Sequence, residues 1–280
     1  MVIEMNKVFS LVIISVLIFH NSNAQNKTSW NGKKSAVVLT YDDGLNIDLK
    51  NVVPALDSFG LKGTFYIADF GNLNSQIPGW KKTAAEGHEL ANHTIWHACE
   101  GGRTGREFVK DYDLRFYTVK RMADEIKEMN NILKAIDGRE KRTFAYPCGD
   151  TKIGDTPYIN SVKNVLVAAR GVNAGMPKIN QIDLYNLPCY MINGQTGQQL
   201  IDLVKKATDE NALLVFLFHG VGGEHSLNVS LEAHRQLLQF LRSSNIWWPW
   251  SGRIGIETPL RTIVNRISFT TAYMSTSPPK

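Results

Sequence analysis

Seven short runs of β-branched or apolar residues recur along the chain, with helix-compatible stretches between several of them. The runs are Ala36–Tyr41, Gly63–Ile67, Glu89–Asn92, Arg142–Tyr146, Val165–Ala169, Leu184–Ile192 and Ala212–Phe218. The helical stretches are Leu49–Phe59, Thr118–Ile136, Gln198–Asp209 and Leu231–Leu241. Short apolar runs bounded by turn residues read as buried strands, and apolar spacing of three and four reads as helix. Alternation of the two predicts a parallel sheet with crossover helices. No Pro/Ser-rich linker and no internal repeat interrupts residues 35–250. The expected architecture is therefore α/β, a single distorted (β/α) barrel of about seven parallel strands, with an open doubly wound sheet as its rival. Beyond Asn245 the pattern weakens. Trp247, Trp248 and Trp250 bunch together as rim packing or a sugar-stacking surface, and residues 251–280 read as a loosely ordered tail.

The amino terminus carries a different signal. Lys7 precedes the 12-residue apolar run Val8–Phe19, and Ser22-Asn23-Ala24 offers small residues before Gln25. That is the pattern of a secretory signal peptide over residues 1–24, with a short segment 25–34 before the barrel. A membrane-spanning helix needs ~20 apolar residues, so the mature chain is expected to be exported, periplasmic or secreted, without stable membrane insertion. A net charge of +5 would suit an anionic partner, but the basic residues are scattered and Glu140 interrupts the densest cluster, Arg139, Lys141 and Arg142. A nucleic-acid role is not expected. Three cysteines, Cys99, Cys148 and Cys189, allow at most one internal disulfide with one thiol left over.

In a parallel α/β barrel the active site is built at the carboxyl ends of the strands. Four of the expected strand ends carry ionisable clusters: Asp42-Asp43-Gly44, His93-Thr94-Ile95-Trp96-His97, Tyr146-Pro147-Cys148-Gly149-Asp150 and His219-Gly220. Histidines four apart fall on one face of a helical turn, where both can reach one ion, and Asp43 would complete a three-ligand set with a position left open for water. Asp42 and Asp43, as neighbours, point in different directions. One can hold the metal while the other works as a base, and a cation relieves their repulsion. The bland alternatives are capping for the histidines, a simple Asp-Asp-Gly turn, and a buried structural His219. A Cys148 thiol working with a histidine is a further catalytic arrangement.

Thr40-Tyr41-Asp42-Asp43-Gly44, His93-Thr94-x-x-His97 and Leu217-x-His219, in that order, resemble the polysaccharide deacetylase family, carbohydrate esterase family four. The resemblance implies a distorted (β/α) barrel, one divalent metal ion, usually zinc, and hydrolytic removal of acetyl groups from sugars. It implies Asp42 as general base, Asp43, His93 and His97 as metal ligands, His219 as general acid, and Thr94 as a brace for the histidine loop. The family's Arg-x-Pro-Tyr element reads Ala145-Tyr146-Pro147-Cys148 here, so the arginine is missing while the Cys148 backbone N–H is left as the oxyanion donor. The Asp-Trp element that supports the acid has only Asp183-Leu184-Tyr185-Asn186 as a counterpart. Weak proton machinery favours ester over amide cleavage, so the expected substrate is an acetylated polysaccharide or oligosaccharide, with O-acetyl hemicellulose preferred to N-acetyl chitin or peptidoglycan oligomers. The rivals are a metal-dependent amide or imide hydrolase of small heterocycles and a non-catalytic carbohydrate-binding protein.

Overall fold

All seven expected runs contribute to one sheet, and every pairing in that sheet is parallel. The computed structural model describes Trp30, residues 32–69, residues 71–244 and Ile246. The leader 1–24, the tail 251–280 and Trp247, Trp248 and Trp250 lie outside the described residues. The sheet comprises β1 (Ala36–Asp42), β2 (Thr64–Ile67), β3 (Glu89–Asn92), β4 (Arg142–Ala145), β7 (Leu166–Arg170), β8 (Tyr190–Met191) and β9 (Leu213–Phe218). Its order is β7-β4-β3-β2-β1-β9-β8. Two small ribbons lie in loops: β5 (Lys152–Ile153) with β6 (Thr156–Pro157), and β10 (Gly220–Val221) with β11 (Asn228–Val229).

The two sheet edges approach each other through one segment. Leu187 bridges Arg170 at the end of β7, and three residues later Tyr190 pairs with Phe216 of β9. The sheet thus curls into the expected distorted barrel. The expected strand over Leu184–Ile192 shrinks to the two residues of β8, because Pro188 has no N–H to give a ladder.

Alternate residues of the strands fill two separate cores. Ala36, Val38, Tyr66, Ala91, Ala145, Ala168, Leu213, Val215 and Leu217 pack together inside the barrel. Residues of opposite parity, including Val37, Leu39, Tyr41, Phe65, Leu90, Leu214 and Phe216, pack against the surrounding helices. With both faces buried, β9 reads Leu-Leu-Val-Phe-Leu-Phe without alternation. Inside the barrel the buried Glu89 is satisfied by Thr64 Oγ1 at 3.0 Å and Thr143 Oγ1 at 2.9 Å.

The helices are α1 (Val53–Ser58, entered through a π turn at Asp48–Val52), α2 (Leu73–Ala85), α3 (Val119–Asp137), α4 (Gly197–Asp209) and α5 (Leu231–Ser243). α3 starts where the Thr118 hydroxyl accepts from Arg121 N and ends at Gly138, whose left-handed φ of 75° glycine adopts at least cost. Between these caps Met122, Ile126, Met129, Leu133 and Ile136 repeat at helical spacing and are buried. α4 carries a capping box formed by Thr196 and Gln199. Among the described residues no helix is long and apolar enough to cross a membrane.

Candidate active site

Asp42 is the last residue of β1 and points into the barrel, opposite Tyr66 in the parallel register. Asp43 follows at a positive φ of 78°, which turns its carboxylate away from that of Asp42. The two neighbours share His93, whose Nε2 lies 3.7 Å from Asp42 Oδ2, and differ in their other partners. Both oxygens of Asp42 accept from Arg170 Nη2, at 2.5 and 2.6 Å. Asp43 Oδ1 is buried with no hydrogen-bond partner among the described residues, and it lies 3.6 Å from Nε2 of His93 and 3.6 Å from Nε2 of His97.

His93 and His97 come together by a route other than a helical turn. The segment from Thr94 to His97 is a tight loop, with both of those residues at positive φ, 65° and 48°. Thr94 Oγ1 accepts from His97 N at 2.9 Å, and Thr94 N donates to Asn92 Oδ1 at 2.8 Å, which braces the loop on β3. The rings meet edge to face with centroids 4.6 Å apart. His93 Nδ1 sits 2.9 Å from the Ala145 carbonyl, which can only accept, so its proton is on Nδ1 and the Nε2 lone pair faces the carboxylates. Burial pushes the His93 imidazole down to about 3, so it stays neutral.

Electrostatics separate the two aspartates as well. Burial raises Asp43, the charge of Asp42 adds to that, and its carboxyl moves up to about 6. Burial works on Asp42 too, but the Arg170 guanidinium, His93 and His219 outweigh it and hold that carboxyl below its ordinary value. A buried carboxylate pair with one guanidinium is short of one positive charge, and Asp43, His93 and His97 offer ligand atoms within 4.8 Å of one another. The donor set fits a divalent ion, as a histidine-carboxylate site with an open position does.

Arg170 is the residue that the sequence motif lacked. Ala145 occupies the expected arginine position, and Arg170 is its register partner on the adjacent strand β7. The guanidinium thus comes from one strand over. It is fully buried, donates from Nη1 to Gly171 O at 2.9 Å, and stands 4.9 Å over the Tyr66 ring. The Asp42 carboxylate is therefore supported without an arginine at the motif position.

Cys148 is bonded to Cys99. A Cys148 thiol is therefore not available as a nucleophile, and Cys189 is the free, buried cysteine. The disulfide ties the loop carrying His97 to the loop after β4, where Cys148 has a left-handed φ of 54°. Arg106 reinforces this join, donating to both oxygens of Asp150 at 2.9 and 2.8 Å and to Cys148 O at 3.0 Å.

His219 follows β9 with its side chain 12% exposed, and its Nε2 is 4.0 Å from Asp43 Oδ2. Burial lowers its pKa. Its Nδ1 is buried without a hydrogen-bond partner among the described residues. Asp183, the counterpart of the family's supporting acid, and Asp150 on the loop after β4 are engaged elsewhere. Asp150 is held by Arg106, and the exposed Asp183 caps its own turn by accepting from Tyr185 N at 2.9 Å. A residue not singled out from the sequence does approach: His225, whose ring stacks on that of His219.

Residues 30–165 match the family model for polysaccharide deacetylases. Through that region, just under half of the chain, the sequence is similar to the polysaccharide deacetylase family. Among solved structures it is similar to a candidate polysaccharide deacetylase from Mycobacterium smegmatis, at 12% identity and TM-score 0.54, over 89% of this chain and 96% of that one. It is also similar to the family four carbohydrate esterase PdaA of Bacillus subtilis, at 17% identity and TM-score 0.49, over 79% and 82% of the two chains. A family four acetyl xylan esterase from Clostridium thermocellum, in complex with a cobalt ion, matches at 21% identity and TM-score 0.47, over 75% and 85%. No curated protein matches the chain.

Proposed function

We propose that this protein is an exported metal-dependent hydrolase that removes O-acetyl groups from an extracellular polysaccharide. The observation that carries this is the buried Oδ1 of Asp43, without a hydrogen-bond partner among the described residues, equidistant from two imidazole nitrogens and beside a second aspartate held by a guanidinium. Export rests on the leader pattern of residues 1–24.

Asp43, His93 and His97 would hold the ion. A divalent ion there, zinc by its preference for histidine and carboxylate, supplies Lewis-acid polarisation of the acetyl carbonyl and activation of water. Asp42, oriented by Arg170, takes the proton of the attacking water. The backbone N–H of Cys148, on a loop fastened by the disulfide, donates to the developing oxyanion, a contribution worth about 3–4 kcal/mol for one donor in measured cases. His219 gives a proton to the departing sugar oxygen.

The ester preference rests on His219. With Arg170 in place the base is well supported, so the missing motif arginine no longer argues for it. The acid, however, has no carboxylate on Nδ1 among the described residues. An amine must be protonated as its C–N bond breaks, whereas an alkoxide leaves with less help. The test is acetate release from acetylated xylo-oligosaccharides, N-acetylglucosamine oligomers of equal length and a heterocyclic imide, each with and without chelator. Chelator-sensitive release with higher kcat/KM on the xylo-oligosaccharides is expected; faster release from the N-acetyl series rejects the ester preference, and imide hydrolysis alone rejects the sugar.

A sugar chain would meet an aromatic surface beside the site. Trp96, next to His97, is 45% exposed and Tyr112 is 41% exposed, with ring centroids 5.7 Å apart. Trp96→Ala is expected to raise KM for oligosaccharides by roughly three- to tenfold, the scale of one aromatic stacking contact. An unchanged KM across chain lengths would remove Trp96 from the binding surface.

A further inference from the structure

The loop after β9 brings a second imidazole into the site. It turns back because Gly220 N donates to Leu227 O at 3.0 Å and Gly222 N to Val229 O at 2.8 Å. A Cβ at Gly220 would come within 2.3 Å of the Gly223 carbonyl oxygen, so only glycine permits the fold-back. The loop is then pinned to the residues that follow Asp42 and Asp43. Glu224 accepts from Asn46 N at 3.1 Å, Asn46 Nδ2 at 2.9 Å and Ile47 N at 2.5 Å. His225, the next residue, stacks on His219 with centroids 4.6 Å apart and planes 13° from parallel.

Its tautomer follows from one contact. Leu227 N donates to His225 Nδ1 at 3.0 Å, and a backbone N–H can only donate. Nδ1 is the acceptor and the ring proton sits on Nε2, which faces Asp43 Oδ2 at 3.8 Å. Asp43 thus stands between two pairs of histidines: its Oδ1 faces His93 and His97, its Oδ2 faces His219 and His225. The pairs differ in chemistry. His93 turns a lone pair to the carboxylate, as a metal ligand does; His225 turns an N–H toward it at 3.8 Å, so in this tautomer it offers no lone pair to an ion there.

We propose that His225 is a positioning residue: its stacked ring fixes the plane of His219, whose Nδ1 has no hydrogen-bond partner among the described residues to do so. The proposal rests on the deacetylase function and on His219 as general acid. An imidazole acid is ordinarily oriented by a hydrogen bond on its other nitrogen, and here a ring face takes that place.

The test compares His225→Ala and His225→Phe with the wild type for metal content and for kcat and KM on acetylated xylo-oligosaccharide and 4-nitrophenyl acetate. A proton donor matters for a sugar alkoxide and little for 4-nitrophenolate, which leaves unprotonated. His225→Ala should lower kcat on the sugar ester about 10- to 100-fold, within the range of general acid catalysis, at wild-type metal content. The loss on 4-nitrophenyl acetate should be at least about tenfold smaller, and His225→Phe, which keeps a stacking ring, should restore most of kcat. Equal losses on both esters, or none on the sugar, would overturn the proposal. So would loss of the metal from His225→Ala, which would place His225 among the ligands. A wild-type enzyme releasing acetate from no sugar overturns the deacetylase function itself.

Discussion

Arg170→Met is expected to lower acetate release about 10²- to 10⁴-fold, the range for losing an effective general base, and to cost the fold about 3–5 kcal/mol, as stranding one partner of a buried ion pair does. Two effects combine. Methionine fills much of the same volume, so the packing against Tyr66 largely survives, but Asp42 loses the donor to both of its oxygens. Burial then acts on Asp42 unopposed by the guanidinium, and a carboxyl that takes up a proton is no base. Arg170→Lys separates charge from geometry. An ammonium restores the positive charge, yet it cannot donate to both Asp42 oxygens and to Gly171 O from a planar fork. Lysine should therefore recover stability more than turnover. Urea unfolding and acetate release measure the two, and a methionine variant within about 1 kcal/mol and threefold of wild type would show that Arg170 does not hold the base.

The route by which Arg170 reaches Asp42 shows what a sequence of this kind reveals. Strands β1 and β9 are legible because both faces are buried and their residues run continuously apolar. The strand ends are legible for the same reason, since a carboxylate or imidazole after such a run must emerge at the barrel mouth; Asp42, Asp43, His93 and His219 were placed that way. Arg170 lies 128 residues from Asp42, and only the β4–β7 register sets it beside the vacant motif position at Ala145. Ending a buried apolar strand on arginine was the available signal. α2 was missed because Pro78 and Gly79 interrupt its pattern. Gly79 is there for close approach, since a Cβ would meet Leu49 Cδ1 at 2.7 Å. His225 carried no pattern at all, because a glycine loop rather than a periodic element returns it to the site.

His93→Ala and His97→Ala should each abolish bound metal and, with it, acetate release, but they should differ in stability. His93 is buried and its Nδ1–H satisfies the Ala145 carbonyl, so alanine leaves a cavity and an unpaired buried acceptor, the latter alone costing about 1–3 kcal/mol. His97 has a side chain 21% exposed to solvent, and its backbone N–H keeps its bond to Thr94 Oγ1 in the variant, so that loss should be milder. Chelation separates these folding effects from metal binding without any substrate. An ion at about 1,000 times its dissociation constant stabilises the folded state by about 4 kcal/mol. The wild-type melting temperature should therefore fall on adding chelator, while those of both alanine variants should not respond. In the metal-free wild type the carboxyl of Asp43, pushed up to about 6 by burial and by the neighbouring charge of Asp42, takes a proton in place of the ion at mildly acidic pH. A variant that kept full metal content, or a wild-type melting temperature indifferent to chelator, would remove the ion from Asp43, His93 and His97.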